Sequence, residues 1–278
     1  MPELPEVETI RRQLAPLVVG RTLERVAIGD PRWTRPLAPA EVEDALTGRT
    51  VEGLARRGKY LIWELSGDVH LIQHLRMTGT VLHDAPEETP HVHVRIALSD
   101  GHRIAISDPR RFGTGDLMLG TAAREAYLAA RLGIEPLDGA LDGAALRAIV
   151  RDRRAPIKAV LLDQRRIAGV GNIYADEALH RAGIHPLRPA RQLTRAQCDA
   201  LAAGVRDALQ AGLDAGGATI DDFRHVDGVY GGFQHEFLVH RRRDEPCPRC
   251  GGTIVKFVAA GRGTYACESC QPPPRRRF

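Results

Sequence analysis

Apolar positions at the start of the chain follow a helical rhythm. Val7, Ile10, Leu14 and Leu17 recur three or four residues apart, which predicts a short amphipathic helix. Pro5 suits its first turn, where a missing N–H costs nothing, and the carboxylates of Glu3, Glu6 and Glu8 lie toward the positive end of its dipole. Beyond this helix, β-rich runs take over to about residue 120. "KYLIWEL" (59–65) and "VHLIQHL" (69–75) are separated by Ser-Gly-Asp, and "HVHVRIALSDGHRIAIS" (91–107) alternates Val92, Val94, Ile96 and Leu98 before an Asp100-Gly101 turn and a return strand. Asp-Gly between alternating runs predicts a hairpin. Repeated short strands with polar turns favour a sandwich or barrel.

Glycine, proline and aspartate then accumulate, and the pattern turns helical over about 143–215, where "AALRAIVRDR", "APIKAVLLDQ", "IYADEALHRAG" and "RAQCDALAAGVRDALQAGL" place apolar residues three and four apart. The fold class expected is α+β. A helix and β-sandwich domain spans 1–132, a linker 133–143, a helical domain ending in a glycine-rich, aromatic-bearing loop 144–240, a cysteine-bearing module 241–271 and a basic, disordered tail 272–278.

The formal charge of this 278-residue chain is only +4, and its distribution is more informative. Residues 151–195 carry ten Lys or Arg against four acids, and residues 241–278 carry nine against three. Two basic blocks on an acidic remainder suit a polyanion, although each block alone could be solvated surface. Only Lys59, Lys158 and Lys256 are lysines among the 39 basic residues, so each lysine invites a specific role. No apolar run approaches a membrane span and no apolar signal region follows the N-terminus. A cytoplasmic protein without a membrane partner is therefore expected.

The strongest local chemistry is Cys247-x2-Cys250, sixteen residues, then Cys267-x2-Cys270. Four thiolates in two close pairs predict one tetrahedral zinc ion, ahead of a disulfide pair or a redox motif, with no open position and hence a structural metal holding a small hairpin. Arg262 falls at the exposed end of that hairpin. Cys198 lies in a helical pattern and reads as core. "AGVGNIYADEAL" (168–179) sets glycines and Asn172 ahead of a helix, which is either an anion site or a structural turn. "HLRMTG" (74–79) and "DPRRFG" (108–113) combine an apolar wedge with arginines, the mixture needed to enter a base stack and fill the gap. His70, His74, His91 and His93 have no spacing that demands a metal. Pro2 is the residue the first helix leaves unexplained. If Met1 is removed, Pro2 becomes a secondary amine titrating near 7.7–8.0, and attack of such an amine on a sugar C1′ gives a cationic iminium without needing a proton. Glu3 and Glu6 are close in sequence to move protons.

Taken together, Met-Pro-Glu-Leu-Pro-Glu-Val-Glu-Thr, "RRGKYLIWEL", "HLRMTG", "DPRRFG", "APIKAVLLDQRRIAGVGNIYADEAL" with "AGIHP", and a terminal four-cysteine finger closely resemble the bacterial formamidopyrimidine-DNA glycosylases, in order and over essentially the whole chain. The resemblance implies an N-terminal helix and β-sandwich catalytic domain, a helix-two-turn-helix domain and a zinc finger about a DNA-binding cleft. It implies excision of oxidised purines, 8-oxoguanine and formamidopyrimidines, then β,δ-elimination at the resulting abasic site. Pro2 is then the nucleophile, Glu3 the proton donor and acceptor, Glu6 an aid to proton transfer, and Lys59 a group near the lesion and its flanking phosphate. The residues expected to contact DNA are His91, Arg110, Arg111, Asn172 and Arg262, with Met77, Phe112 and Lys158. Arg110 would meet an orphaned cytosine. The partner expected is double-stranded DNA carrying an oxidised purine or abasic site, met by a monomer in the bacterial cytoplasm, in association with the nucleoid. The alternatives are an endonuclease VIII type enzyme for oxidised pyrimidines, against which Leu4 and Arg110 speak, and a non-catalytic zinc-finger protein that binds damaged DNA. Within 216–237 the "DGVYGGF" portion departs from the commoner Gly-Tyr-Phe arrangement of the family, and Arg76 stands where some members have glycine.

Overall fold

Residues 1–220 and 223–274 are described by the computed structural model, and the chain divides into two compact units. The first comprises Met1–Ala130 and Ala215–Gln234. It begins with α1 (Leu4–Val18), β1 (Leu23–Ile28), α2 (Pro39–Leu46), β2 (Val51–Arg57), β3 (Tyr60–Leu65) and β4 (Val69–His74). β5 (Thr80–His83), β6 (Val92–Leu98), β7 (Arg103–Ser107), β8 (Thr114–Leu119) and α3 (Thr121–Ala129) follow. Two antiparallel four-stranded sheets form, in the orders β1-β6-β7-β5 and β2-β3-β4-β8. Val26, Val94, Ile96 and Ile106 from one sheet join Leu61, Trp63, Leu65 and Leu71 from the other in a single core. The Asp100-Gly101 hairpin lies where the sequence places it, with Ile96 opposite Ile104.

α1 packs on β2 and β3 with the predicted face inward: Val7, Ile10 and Leu14 are buried. Its polar side is pinned as well, because Glu8 accepts hydrogen bonds from Arg11, Arg12 and, across to β2, Arg56. Burial alone would raise the Glu8 carboxyl, yet the hydrogen bonds from Arg11 and Arg12 and the charges of Arg11 and Arg56 bring it from 4.5 down to about 2. A carboxyl lowered on folding stabilises the fold above its unfolded value, and that stability is lost as the pH falls from about 4.5 toward 2. Glu8→Gln is therefore expected to remove on the order of 2 kcal/mol at neutral pH and to flatten the acid limb of stability. Urea unfolding at pH 6, 4 and 3 measures this; parallel curves for both proteins would refute it.

α2 interrupts the stretch expected to be all strands. Its Glu41 accepts a hydrogen bond from the Ala38 N–H at 2.8 Å, and Val42 and Leu46 face the core, so a capped turn with an apolar face outweighs the β-rich surroundings.

The second unit comprises Arg131–Asp214 and the segment from His235 onward. It contains α4 (Gly143–Val150), α5 (Ile157–Leu162), α6 (Asn172–Arg181), α7 (Arg195–Asp214) and the hairpin β9 (Ile254–Ala259) and β10 (Arg262–Cys267). The four helices match the four periodic segments, and Cys198 is buried in α7. One grouping differs from the sequence reading. Residues 215–234 pack with the first unit rather than with the helices that precede them: Phe223 and Val226 enter the sandwich core, and the His83 N–H donates to the Val226 carbonyl at 2.9 Å. Asp221, Asp222 and residues 275–278 of the basic tail lie outside the described residues. Among the described residues no helix is long and apolar enough to cross a membrane.

Candidate active site and nucleic-acid interface

The N-terminal residues are enclosed before any substrate is considered. Pro2 is buried, while Glu3 and Glu6 are 2% and 1% exposed. One Glu6 oxygen accepts the Glu3 N–H and the other the Ala218 N–H, each at 2.8 Å. Glu6 thus ties the start of α1 to the 215–234 segment, a link the sequence did not disclose. Gly217 serves this approach: it holds φ +80°, and a Cβ there would lie 3.0 Å from the Glu6 Cγ. Lys59 is buried between β2 and β3. Its charge, after burial and after Arg76, helps depress the His74 imidazole to about 3. His74 is therefore neutral, and its Nδ1 accepts the Arg76 N–H at 2.9 Å.

The two wedge-bearing loops are organised by one carboxylate. Asp108 is fully buried. Its Oδ2 accepts the Phe112 and Gly113 N–H groups, both at 2.8 Å, and its Oδ1 accepts the Thr78 hydroxyl and the Arg110 N–H. The Asp108 N–H donates to the His91 carbonyl at 3.1 Å. Around this anchor Arg76, Arg111 and His91 adopt left-handed backbone, and the expected residues are turned outward: Met77 is 37% and Phe112 52% exposed. The Arg110 guanidinium lies 4.8 Å from the Phe112 ring centre. Arg111 and His91 are exposed, although Arg111 also meets Asp30 at 3.3 Å. An exposed aromatic ring and a guanidinium thus stand side by side on this loop.

Asp108→Asn keeps the shape and removes half the acceptor capacity. It is expected to cost roughly 2–3 kcal/mol and to accelerate amide exchange at Phe112 and Gly113. Exchange at those two amides unchanged from the parent protein would exclude this role for Asp108.

In the second unit the hairpin is locked to the helices from within. The Lys158 ammonium lies 2.6 Å from Asp176 Oδ1 and 2.8 Å from the Thr264 hydroxyl. His240 Nδ1 lies 2.9 Å from the other Asp176 oxygen. Asn172, first residue of α6, donates through Nδ2 to the Gly263 carbonyl at 3.0 Å, so it sits against the residue that follows exposed Arg262. Lys158 requires a correction. It was expected at the DNA, but its side chain is completely buried and paired with Asp176; a charge so enclosed is neutralised internally and cannot reach a phosphate. Glu177, next to Asp176, accepts the N–H groups of Leu238, Val239 and His240. Burial raises its carboxyl, and those three hydrogen bonds oppose the rise. The turn before α6 is closed by Gln164, which accepts the Gly169 N–H and donates to the Val170 carbonyl.

The four cysteines converge as their spacing predicts. Their Sγ atoms all lie within 4.8 Å of one another, with Cys247 to Cys270 at 3.9 Å and Cys250 to Cys267 at 3.5 Å. Zinc–sulfur bonds of 2.3 Å in a tetrahedron require sulfurs about 3.8 Å apart, whereas a disulfide needs about 2.05 Å. The donor set therefore fits one structural zinc ion. His180 Nε2 lies 3.3 Å from Cys247 Sγ, placed to donate to a zinc-bound thiolate.

Comparison with known proteins agrees with this geometry. The formamidopyrimidine-DNA glycosylase N-terminal domain matches residues 1–115, the H2TH domain of the same enzymes residues 132–224, and the zinc finger found in FPG and IleRS residues 244–273. A formamidopyrimidine-DNA glycosylase of Cereibacter sphaeroides is 45% identical, over 98% of this chain and all of its own length. The crystal structure of the MutM (FPG) protein of Thermus thermophilus is similar with a TM-score of 0.88 and 43% identity, covering 99% of this chain and 100% of that one. A Lactococcus lactis FPG mutant in complex with DNA containing Fapy-dG gives 0.91 and 36%, covering 98% and 100%. Matched by three family models that together span most of its length, and 45% identical to a relative over 98% of its residues, the chain belongs to the formamidopyrimidine-DNA glycosylase family.

Proposed function

We propose that this protein is a bifunctional DNA glycosylase and abasic-site lyase of base-excision repair, acting as a monomer in the bacterial cytoplasm to remove oxidised purines from duplex DNA. The observation that carries the reading is a buried N-terminal Pro2 followed by buried Glu3 and Glu6, in a chain matching one glycosylase family nearly end to end.

Removal of Met1 turns the Pro2 nitrogen from an amide into a secondary amine. Its lone pair bonds to C1′ of the damaged nucleoside while the glycosidic C–N bond breaks, and the base leaves with that electron pair and takes up a proton. The amine proton is lost, the sugar ring opens as O4′ departs from C1′ and is protonated, and an iminium remains. That cation draws electrons, so loss of a C2′ proton expels the 3′ phosphate and a further proton loss at C4′ expels the 5′ phosphate. Water then releases Pro2. Glu3 is the group assigned to these proton transfers. Glu6 holds two backbone N–H groups, and a positioning role suits it better than proton transfer.

Extruding the damaged nucleotide costs a few kcal/mol of stacking, which Met77 and Phe112 offset by filling the gap. Arg110 offers parallel donors to the O2 and N3 acceptors of the widowed cytosine. Lys59, His91, Arg111, Asn172 and Arg262 are assigned to the lesion and the phosphate backbone. A zinc ion held by Cys247, Cys250, Cys267 and Cys270 would have all four positions filled by thiolates and would serve to hold the β9–β10 hairpin that carries Arg262. Cleavage of duplexes containing 8-oxoguanine opposite cytosine is expected to exceed that of thymine glycol duplexes. Preference for thymine glycol would replace this reading with the endonuclease VIII type, and binding without cleavage by demethionylated protein would replace it with a non-catalytic one.

A further inference from the structure

Three side chains outside both sites meet at one edge of the β1-β6-β7-β5 sheet. His83 ends β5, Asp84 follows it, and His102 lies in the turn leading into β7. His83 pairs with Ile104, and the ladder continues one step: the Asp84 N–H donates to the Arg103 carbonyl, and the Arg103 N–H to Asp84 Oδ1, each at 2.8 Å. With Oδ1 held by the backbone, Oδ2 lies 2.6 Å from His102 Nδ1 and 3.5 Å from His83 Nδ1. The two rings are 4.8 Å apart, and the three donor atoms all fall within 4.8 Å of one another. His83 Nε2 is packed away from solvent without a polar partner, so Nδ1 is the edge offered to Asp84.

Asp84 Oδ2 is thus shared between two imidazole nitrogens, His102 at hydrogen-bond distance and His83 farther off. For a cation the trio is a near-complete set of ligands. Bonds of about 2.0–2.2 Å place neighbouring tetrahedral ligands roughly 3.4 Å apart. The separation from His83 to Asp84 already meets this, and that from His102 to Asp84 need open by less than about 1 Å as the ion replaces the shared proton. The exposed His102 side chain has room to move. Two nitrogens and one oxygen select borderline transition-metal ions over magnesium or calcium.

We propose that His83, Asp84 and His102 form a second metal site, independent of the four-cysteine centre, that binds one divalent transition-metal ion and leaves its remaining position to water. The ion would brace the β5–β7 edge at the strand end where the His83 N–H holds the 215–234 segment through Val226.

The test is calorimetric titration of the zinc-loaded full-length protein with Ni2+, with zinc counted in the same samples. One nickel per chain is expected, with zinc unchanged. His102→Ala, at an exposed position, should weaken uptake at least about tenfold without moving the melting temperature, and His83→Ala/His102→Ala should abolish it. No nickel uptake by the parent protein, uptake matched by zinc release, or uptake that survives the double substitution would each overturn the proposal.

Discussion

Borohydride added during turnover of an 8-oxoguanine duplex is expected to fix the demethionylated protein covalently to DNA through Pro2, and to fix nothing when Met1 is retained. The physical reason is the state of one nitrogen. Behind Met1 it is an amide whose lone pair is delocalised into the carbonyl; freed, it is an amine with a usable unprotonated fraction at neutral pH. Strand cleavage should fall by a factor of about 10³ or more with Met1 retained, as for loss of other covalent nucleophiles, while binding changes much less. Electrophoresis of the trapped adduct and mass spectrometry of its peptides measure this directly. A crosslink at any residue other than Pro2 would remove the basis of the mechanism.

Chelation of zinc should produce the other large effect. The hairpin module has a very small core of its own, Val239, Cys247, Ile254 and Cys267, and two of these four are metal ligands. So small a core cannot hold residues 246–271 without the ion, and zinc binding in such modules amounts to roughly 10–16 kcal/mol of folding free energy. Metal-free protein should lose amide protection over β9 and β10 while α4, α6 and α7 keep theirs. Gly263, the neighbour of Arg262, is then no longer held by Asn172, and affinity for duplex DNA should drop roughly a hundredfold with the lost phosphate contacts. Hydrogen exchange before and after chelation, followed by a binding titration at fixed salt, tests both parts. Protection persisting across Ile254–Cys267 without metal would show that the cysteines are not the support.

Some of this architecture is legible in the chain because its causes are local. Helical rhythm sets α1 and α4–α7, alternation around Asp100-Gly101 sets the β6–β7 hairpin, and paired Cys-x2-Cys spacing specifies the zinc ligands. Met77 and Phe112, apolar side chains set among arginines, stand out in the sequence, and the structure leaves both exposed. Asp108 was not. It lies inside "DPRRFG" and gives no sign of its role, because its meaning comes from Thr78, thirty residues away, and from backbone N–H groups that converge only when both loops are folded. Lys158 was misjudged for the same reason. In the sequence it belongs to a basic block; in space Asp176 and Thr264 enclose it.

By itself, then, the sequence determined most element types and the metal ligands, which depend on neighbours within a few turns or on fixed spacings, and the family, which rests on motifs in order along the whole chain. Tertiary structure alone decided that 215–234 packs with the sandwich, that Glu6 brackets Ala218, that Asp108 turns Phe112 outward and that Lys158 is buried. The first rests on Phe223 and Val226 entering the core; the others are pairings of polar groups that only the folded chain brings together. A buried donor or acceptor must find a partner, but which partner it finds is settled only when the backbone has brought the candidates within about 3 Å.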